Sequence, residues 1–161
     1  MTKKKIVVFT TSYLPFVGGA EIAVREVAKR FCDSYDVYVM TARQNRTYPR
    51  REIASEGMII RLGFGSAFDK WLLPFAGFIE LIKLGIRNEV PAPWKRTSRH
   101  SLLLWGMDIS QGSISAWLCK LFFPGLPFIL TVQYGYGDAR LAGARLGAVA
   151  MAFRHMLRSA D

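Results

Sequence analysis

Two short runs that are apolar on both faces constrain this chain more than any other feature. KIVVFTT at residues 5–11 and YDVYVMTA at residues 35–42 are rich in β-branched and aromatic residues, and a turn bounds each. A strand with one solvated face alternates apolar and polar side chains, whereas a strand buried on both faces does not. The intervening segment 20–32 has helical spacing. Val24, Val27, Ala28 and Phe31 fall at i, i+3, i+4 and i+7, and Glu21, Arg25 and Lys29 share another face. Strand, helix and strand in this order predict parallel strands joined by a crossover helix.

The rest of the chain continues the alternation. GMIIRLGF at 57–64 reads as a third strand, and 71–87 is an amphipathic tract. VPAPWKRTSRH at 90–100 is a basic connector broken by proline. MDISQGS at 107–113 reads as a short strand and SAWLCKLFF at 115–123 as a helix stopped at Phe123-Pro124-Gly125. PFILTVQY at 127–134 is the last strand. Residues 138–158 read as a helix, with Leu141, Ala144, Ala148, Met151 and Met156 among its apolar positions. Its basic side chains are Arg140, Arg145, Arg154, His155 and Arg158. The expected fold is one α/β domain over 1–161, a doubly wound, mostly parallel sheet of Rossmann-like type. Ligands of such sheets bind at the carboxyl ends of the strands, where the strand order reverses.

The stretch TTSYLPFVGGAEIAVREV, residues 10–27, joins the first strand to the first helix at that edge. Gly18 and Gly19 would let backbone N–H groups approach an anion closely, and the helix dipole favours negative charge there. A plain strand-to-helix turn explains the same two glycines. The loop is too long for the tight turn of a dinucleotide fingerprint and lacks its G-x-G-x-x-G spacing. No Gly-Lys-Ser/Thr follows, which excludes a P-loop.

Composition narrows the function classes. With 51% apolar and 21% charged residues the balance is globular, and the net charge of +10 suits nucleic acid, anionic lipid or a phosphorylated small molecule. A merely solvated basic face fits as well. Cys32 and Cys119 stand far apart in apolar contexts, which predicts free buried thiols. No metal-ligand cluster and no cofactor is expected. The apolar run after MTKKK is too short for a signal peptide, and WLLPFAGFIELIKLGI is interrupted by Pro74, Glu80 and Lys83. A cytoplasmic protein able to sit at the inner face of a membrane is expected.

Five pieces in order resemble the start of the family-four glycosyltransferases of GT-B fold. These are YLPFVGGAE, YDVYVMTA, GMIIRLGF, MDISQGSISAW and PFILTVQYG, with the closing LRSAD as a further likeness. The resemblance covers nearly the whole chain. It implies the N-terminal half of a GT-B architecture and a retaining transfer from a nucleotide-sugar to a glycan or lipid-linked acceptor. By position, Gly18 and Gly19 would meet the donor diphosphate through their backbone N–H groups. The donor itself would sit in a C-terminal domain, absent from these 161 residues. The chain alone is therefore expected not to turn over; it would be a fragment, a truncated frame or one half of a split enzyme.

Where that family often has histidine, this chain has Gln111, Ser113 and Gln133. Such residues can hydrogen-bond sugar hydroxyls but are not acids or bases near neutral pH. They are the candidate acceptor-binding residues, against a reading as ordinary loop polar residues. His100 and His155 lie in the connector and the last helix, and no catalytic residue is assigned.

Lys95, Arg96, Arg99 and His100 around Trp94, with Trp71, Leu72, Phe75 and Phe78 of the amphipathic tract, form a candidate contact with an anionic membrane. A partly buried helix and a solvated loop account for the same residues. Two competing readings stay open. One is a basic, non-catalytic module for anionic lipid or nucleic acid, although no RRM, KH or helix-turn-helix signature makes nucleic acid a natural partner. The other is a stand-alone nucleotide binder, against which the missing fingerprint counts.

Overall fold

The computed structural model describes residues 3–96, 101–133 and 148–161. Its strands are β1 (Lys4–Phe9), β2 (Tyr35–Ala42), β3 (Arg51–Ala54), β4 (Gly57–Leu62), β5 (Leu102–Met107) and β6 (Phe128–Thr131). Its helices are α1 (Gly19–Phe31), α2 (Asp69–Ile86), α3 (Gln111–Phe122) and α4 (Ala148–Ser159). The strands form one sheet in the order β3-β4-β2-β1-β5-β6, parallel throughout except for β3 against β4. This is the doubly wound, mostly parallel α/β sheet of Rossmann-like type.

The unbroken apolar character of β1 follows from its central place. Ile6 and Val8 point to the face covered by α1, where they pack with Val24, Ala28, Val37 and Val39. Val7 and Phe9 point to the other face and meet Met40, Leu81, Leu84 and Ala116 from β2, α2 and α3. Burial of both faces is what a strand flanked by two crossover connections requires. Helix α1 buries Val24 and Ala28 as its spacing predicts, while Phe31 stays exposed and packs edge-to-face on Tyr35.

Helices α2 and α3 approach closely. A Cβ at Gly77 would stand 2.9 Å from the Ser115 hydroxyl, and that hydroxyl donates to the Leu73 carbonyl at 2.9 Å. Pro74 lies inside α2, so one intrahelical donor is missing just where α3 supplies a hydroxyl to a neighbouring carbonyl.

Three expectations need correction. The strand assigned to MDISQGS lies earlier, at Leu102–Met107, and Gln111 and Ser113 belong to the first turn of α3. The fully apolar sequence LLLWGM suits the sheet interior, whereas Ser110 is the N-cap of α3 and accepts from the Ser113 N–H. The short β3, REIA, was not foreseen. It pairs with β4 across a tight hairpin that Gly57, at φ +135°, makes possible. Met151, expected on the apolar side of the last helix, is exposed, while Met156 is buried. Arg99, His100, Arg140, Leu141, Ala144 and Arg145 lie outside the described residues.

Candidate functional site

The strand order reverses between β1 and β5. The chain leaves β1 toward β2 on one side, and β5 and β6 extend the sheet on the other. At the carboxyl edge of this switch two helices begin, α1 after β1 and α3 after β5. Their amino termini are treated differently.

The start of α3 is closed by protein groups. The Gly112 N–H donates to Thr11 Oγ1 at 3.1 Å, and the Thr11 hydroxyl donates to Gln111 Oε1 at 3.3 Å. Gly112 is so close to β1 that a Cβ would stand 2.7 Å from Thr10 backbone atoms. The Ser113 hydroxyl is buried and donates to the carbonyls of Met107 and Asp108. Ser113 therefore sits beneath the edge and closes the β5–α3 turn, while Gln111 is half-buried at its rim.

The start of α1 is held differently. Gly18 is its N-cap, in extended conformation, and among the described residues no side chain makes a cap hydrogen bond to the helix. The orphan N–H groups of a first turn carry the positive end of the helix dipole. The Glu21 carboxylate folds back over Gly18, and a Cβ there would stand 2.5 Å from Glu21 Oε2. At Gly19 there is room. Among the described residues outside the helix, the heavy atom nearest an added Cβ is Gln133 Oε1, at 3.8 Å. The structure thus brings Gly18, Gly19 and Gln133 together, with Gln111 on the neighbouring helix start linked to β1 through Thr11.

The loop that presents Gly18 is held along its length. Thr10 donates from its N–H to Met40 O at 3.1 Å, and Gln44 Nε2 donates to Thr11 O at 3.2 Å and Ser12 Oγ at 3.0 Å. Arg61, buried on β4, donates to Leu14 O at 2.9 Å and pairs with Glu52 at 2.7 Å. The Tyr13 hydroxyl donates to Glu56 at 2.8 Å. Burial, and then that bond to a carboxylate, push the Tyr13 phenol well above its ordinary value. Burial also works to raise Glu56, but hydrogen bonds from Tyr13, Ser55 and its own backbone outweigh it, so its carboxyl is lowered. The pair is an anchor for the loop: a neutral phenol donating to a charged acceptor.

No family model matches the sequence, and no curated protein does. Solved structures do. Sucrose-phosphate synthase from Thermosynechococcus elongatus superposes with a TM-score of 0.67 at 15% identity, over 99% of this chain and 41% of that one. A second structure of that protein, of residues 27–220 and 406–426, gives a TM-score of 0.63 at 12% identity, over 98% of this chain and 74% of that one. The likeness is one of fold, and this chain spans about two fifths of the length of the first of these structures.

Asp108 went unnoticed in the sequence although it organises the site. It is buried at φ +57°; its N–H donates to Thr131 O at 2.7 Å, and its Oδ1 accepts from the Gln133 N–H at 2.8 Å. Both bonds fix the end of β6, and with it Gln133, against the end of β5. A signal existed in Asp-Ile-Ser directly after an apolar run, a pattern that favours a turn. Among the described residues no group of three or more His, Cys, Asp or Glu could hold a metal ion, and no helix is long and apolar enough to cross a membrane.

Proposed function

We propose that this chain is the acceptor-side domain of a retaining glycosyltransferase of the family-four type. It would work with a donor-binding domain to move a sugar from a nucleotide-sugar to a glycan or lipid-linked acceptor. The observation that carries the reading is the contrast at the switch point. The α3 terminus is closed by Thr11 and Ser110, while among the described residues no side-chain cap hydrogen bond is made at the α1 terminus, where Gly18 and Gly19 stand beside Gln133. An uncapped helix start suits a diphosphate whose negative charge grows as it departs, since donors already aimed at that charge lower the barrier. Gly18 and Gly19 would act through their N–H groups, and Gln111 and Gln133 would orient the acceptor. Ser113 would shape that edge from beneath.

The fold shared with sucrose-phosphate synthase supports a role in sugar transfer, and the order of the five sequence pieces supports the narrower family. On this reading the domain alone binds nucleotide-sugars weakly and does not turn over. The protein works at the cytoplasmic side of the cell and needs no metal.

The experiment has two steps. Immunoblotting or top-down mass spectrometry of the protein in its native source measures the intact size. The native species, or the domain with its donor partner, is then incubated with UDP-, GDP- and ADP-sugars while nucleoside diphosphate release is followed. Release that depends on both an acceptor and the donor domain is the expected result. Absence of both binding and transfer with every donor removes the catalytic reading and favours the basic binding module.

A further inference from the structure

Helix α2 carries an apolar stripe on the side turned away from the sheet. Phe68, Phe75, Ile79 and Ile86 are spaced by seven, four and seven residues, which keeps them within about 40° on a helical wheel. They are 63%, 68%, 49% and 66% exposed. Trp71, also exposed, flanks them, and the stripe runs roughly 27 Å at the α-helical rise. The opposite face of α2 is fully used, since Leu73, Gly77, Glu80, Leu81 and Leu84 are buried. The exposed stripe is therefore additional to what the core needs.

The surface widens to either side. Phe78 packs against Phe122 at a centroid distance of 4.8 Å, which brings the exposed Phe122 alongside the stripe. At the other end of α2, Gly85 lies against Trp94, itself exposed. A groove of about 440 Å3 joins these flanks, lined by Trp94, Lys95, Arg96 and Phe122 among others.

Charge identifies the occupant. Among the described residues, the exposed cations near this surface are Lys83, about 60° from the stripe on the wheel, Arg87 at the end of the helix, and Lys95 and Arg96 in the groove. The acidic residues of α2 are committed elsewhere: Asp69 accepts from the 64–66 loop, and Glu80 pairs with Arg51 at 2.9 Å. Glu89, just beyond the helix, pairs with Arg51 at 2.8 Å and with Arg87 at 3.8 Å. An aromatic-rich helix face with a cationic rim matches the interfacial zone of an anionic bilayer, where rings sit at headgroup depth and Lys and Arg meet lipid phosphates.

We propose that this face of α2, with Trp94, Phe122 and the Lys95–Arg96 groove, docks the protein on an anionic lipid surface, with the helix lying in the plane of the interface. The proposal is independent of the transfer reaction. Helix α2 starts at the same sheet edge as the uncapped α1 terminus, so docking would hold that edge near the headgroups.

The test is sedimentation of the purified protein with vesicles of phosphatidylcholine alone and with 30% phosphatidylglycerol, at low and at physiological salt. Partitioning to the anionic vesicles is expected. Phe75→Ser with Ile79→Ser removes apolar contact without changing charge, and binding should weaken by at least about tenfold. Lys83→Gln with Lys95→Gln should weaken it about fivefold per cation at low salt. Ile22→Ser, on α1 at the opposite face of the sheet and 49% exposed, should leave it unchanged. Both substituted positions on α2 are solvent-facing, so thermal unfolding should stay near wild type; should the double variant not fold, the lysine variants carry the test alone. No partitioning at low salt overturns the proposal, as does equal weakening by Ile22→Ser. A vesicle-indifferent dimer, seen by light scattering and broken by Phe75→Ser, also overturns it and makes a second copy the occupant.

Discussion

Gly19 and Gln133 face each other across the carboxyl edge of the sheet, with Gln133 Oε1 3.8 Å from where a Cβ on Gly19 would stand. That distance is ordinary van der Waals contact, and Gly19 is the first residue of α1, where alanine is at least as good a helix former. Gly19→Ala should therefore fold normally, with a melting temperature within about 2 °C of wild type. If its N–H groups meet a diphosphate, the added methyl stands between donor and ligand. Transfer by the complete enzyme should then fall about a hundredfold or more, the scale of losing one preorganised donor. Unchanged turnover would remove Gly19 from the site.

Gly112 makes the opposite prediction. Its missing side chain faces Thr10 N, Cα and C at 2.7–2.8 Å, and this backbone, directly after the central strand and bonded to Met40 O, cannot move aside. Gly112→Ala should cost about 2 kcal/mol or more, a fall of roughly 4–8 °C in melting temperature for a chain of this size. Calorimetry of the two glycine variants side by side checks both predictions, and an equal effect would show that the two positions are packed equally tightly.

The sequence made β1, β2 and α1 legible because their patterns are local: apolar faces at period 2 or 3.6, bounded by turns. Edge strand β3 was not legible, because its side chains are largely exposed and its place depends on β4 and on Arg51 reaching Glu80 and Glu89. The same division holds at the site. Adjacent glycines at 18 and 19 announce themselves. Thr11 and Asp108 do not, because their partners, Gln111 and Gln133, lie 100 and 25 residues away. Position along the chain makes Ser113 an acceptor ligand, but with the strand at Leu102–Met107 its hydroxyl turns inward onto the Met107 and Asp108 carbonyls.

The two thiols should react at very different rates. Cys119 is fully buried in the α3 face of the core, and burial pushes its thiol far above the ordinary value. Thiolate is the reactive form, so Cys119 should be silent to an aromatic disulfide reagent until the protein unfolds. Cys32, half-buried at the end of α1, should be modified by the reagent in the native protein. One thiol per chain without denaturant, two with it, and none natively in Cys32→Ser is the expected pattern. Two thiols reacting at one rate would mean that the α3 face opens readily.

Asp69 ties the loop after β4 to the start of α2, and its contribution should depend on pH with a definite sign. Its carboxylate accepts from the N–H groups of Phe64 at 3.0 Å, Gly65 at 2.6 Å and Ser66 at 3.1 Å, and from the Ser66 hydroxyl at 3.3 Å. Burial works to raise this carboxyl, but those donors outweigh it and hold it below the ordinary aspartate value. A folded value below the unfolded one means stabilisation fully present above the unfolded range, about pH 4, and lost as pH falls through the folded value. Asp69→Asn keeps the shape and one acceptor but not the charge, and should cost about 1–3 kcal/mol at pH 7. The gap in melting temperature between wild type and Asp69→Asn should narrow steadily between pH 5 and pH 2.5. A gap independent of pH would show that shape alone, and not the carboxylate charge, holds the loop in front of α2.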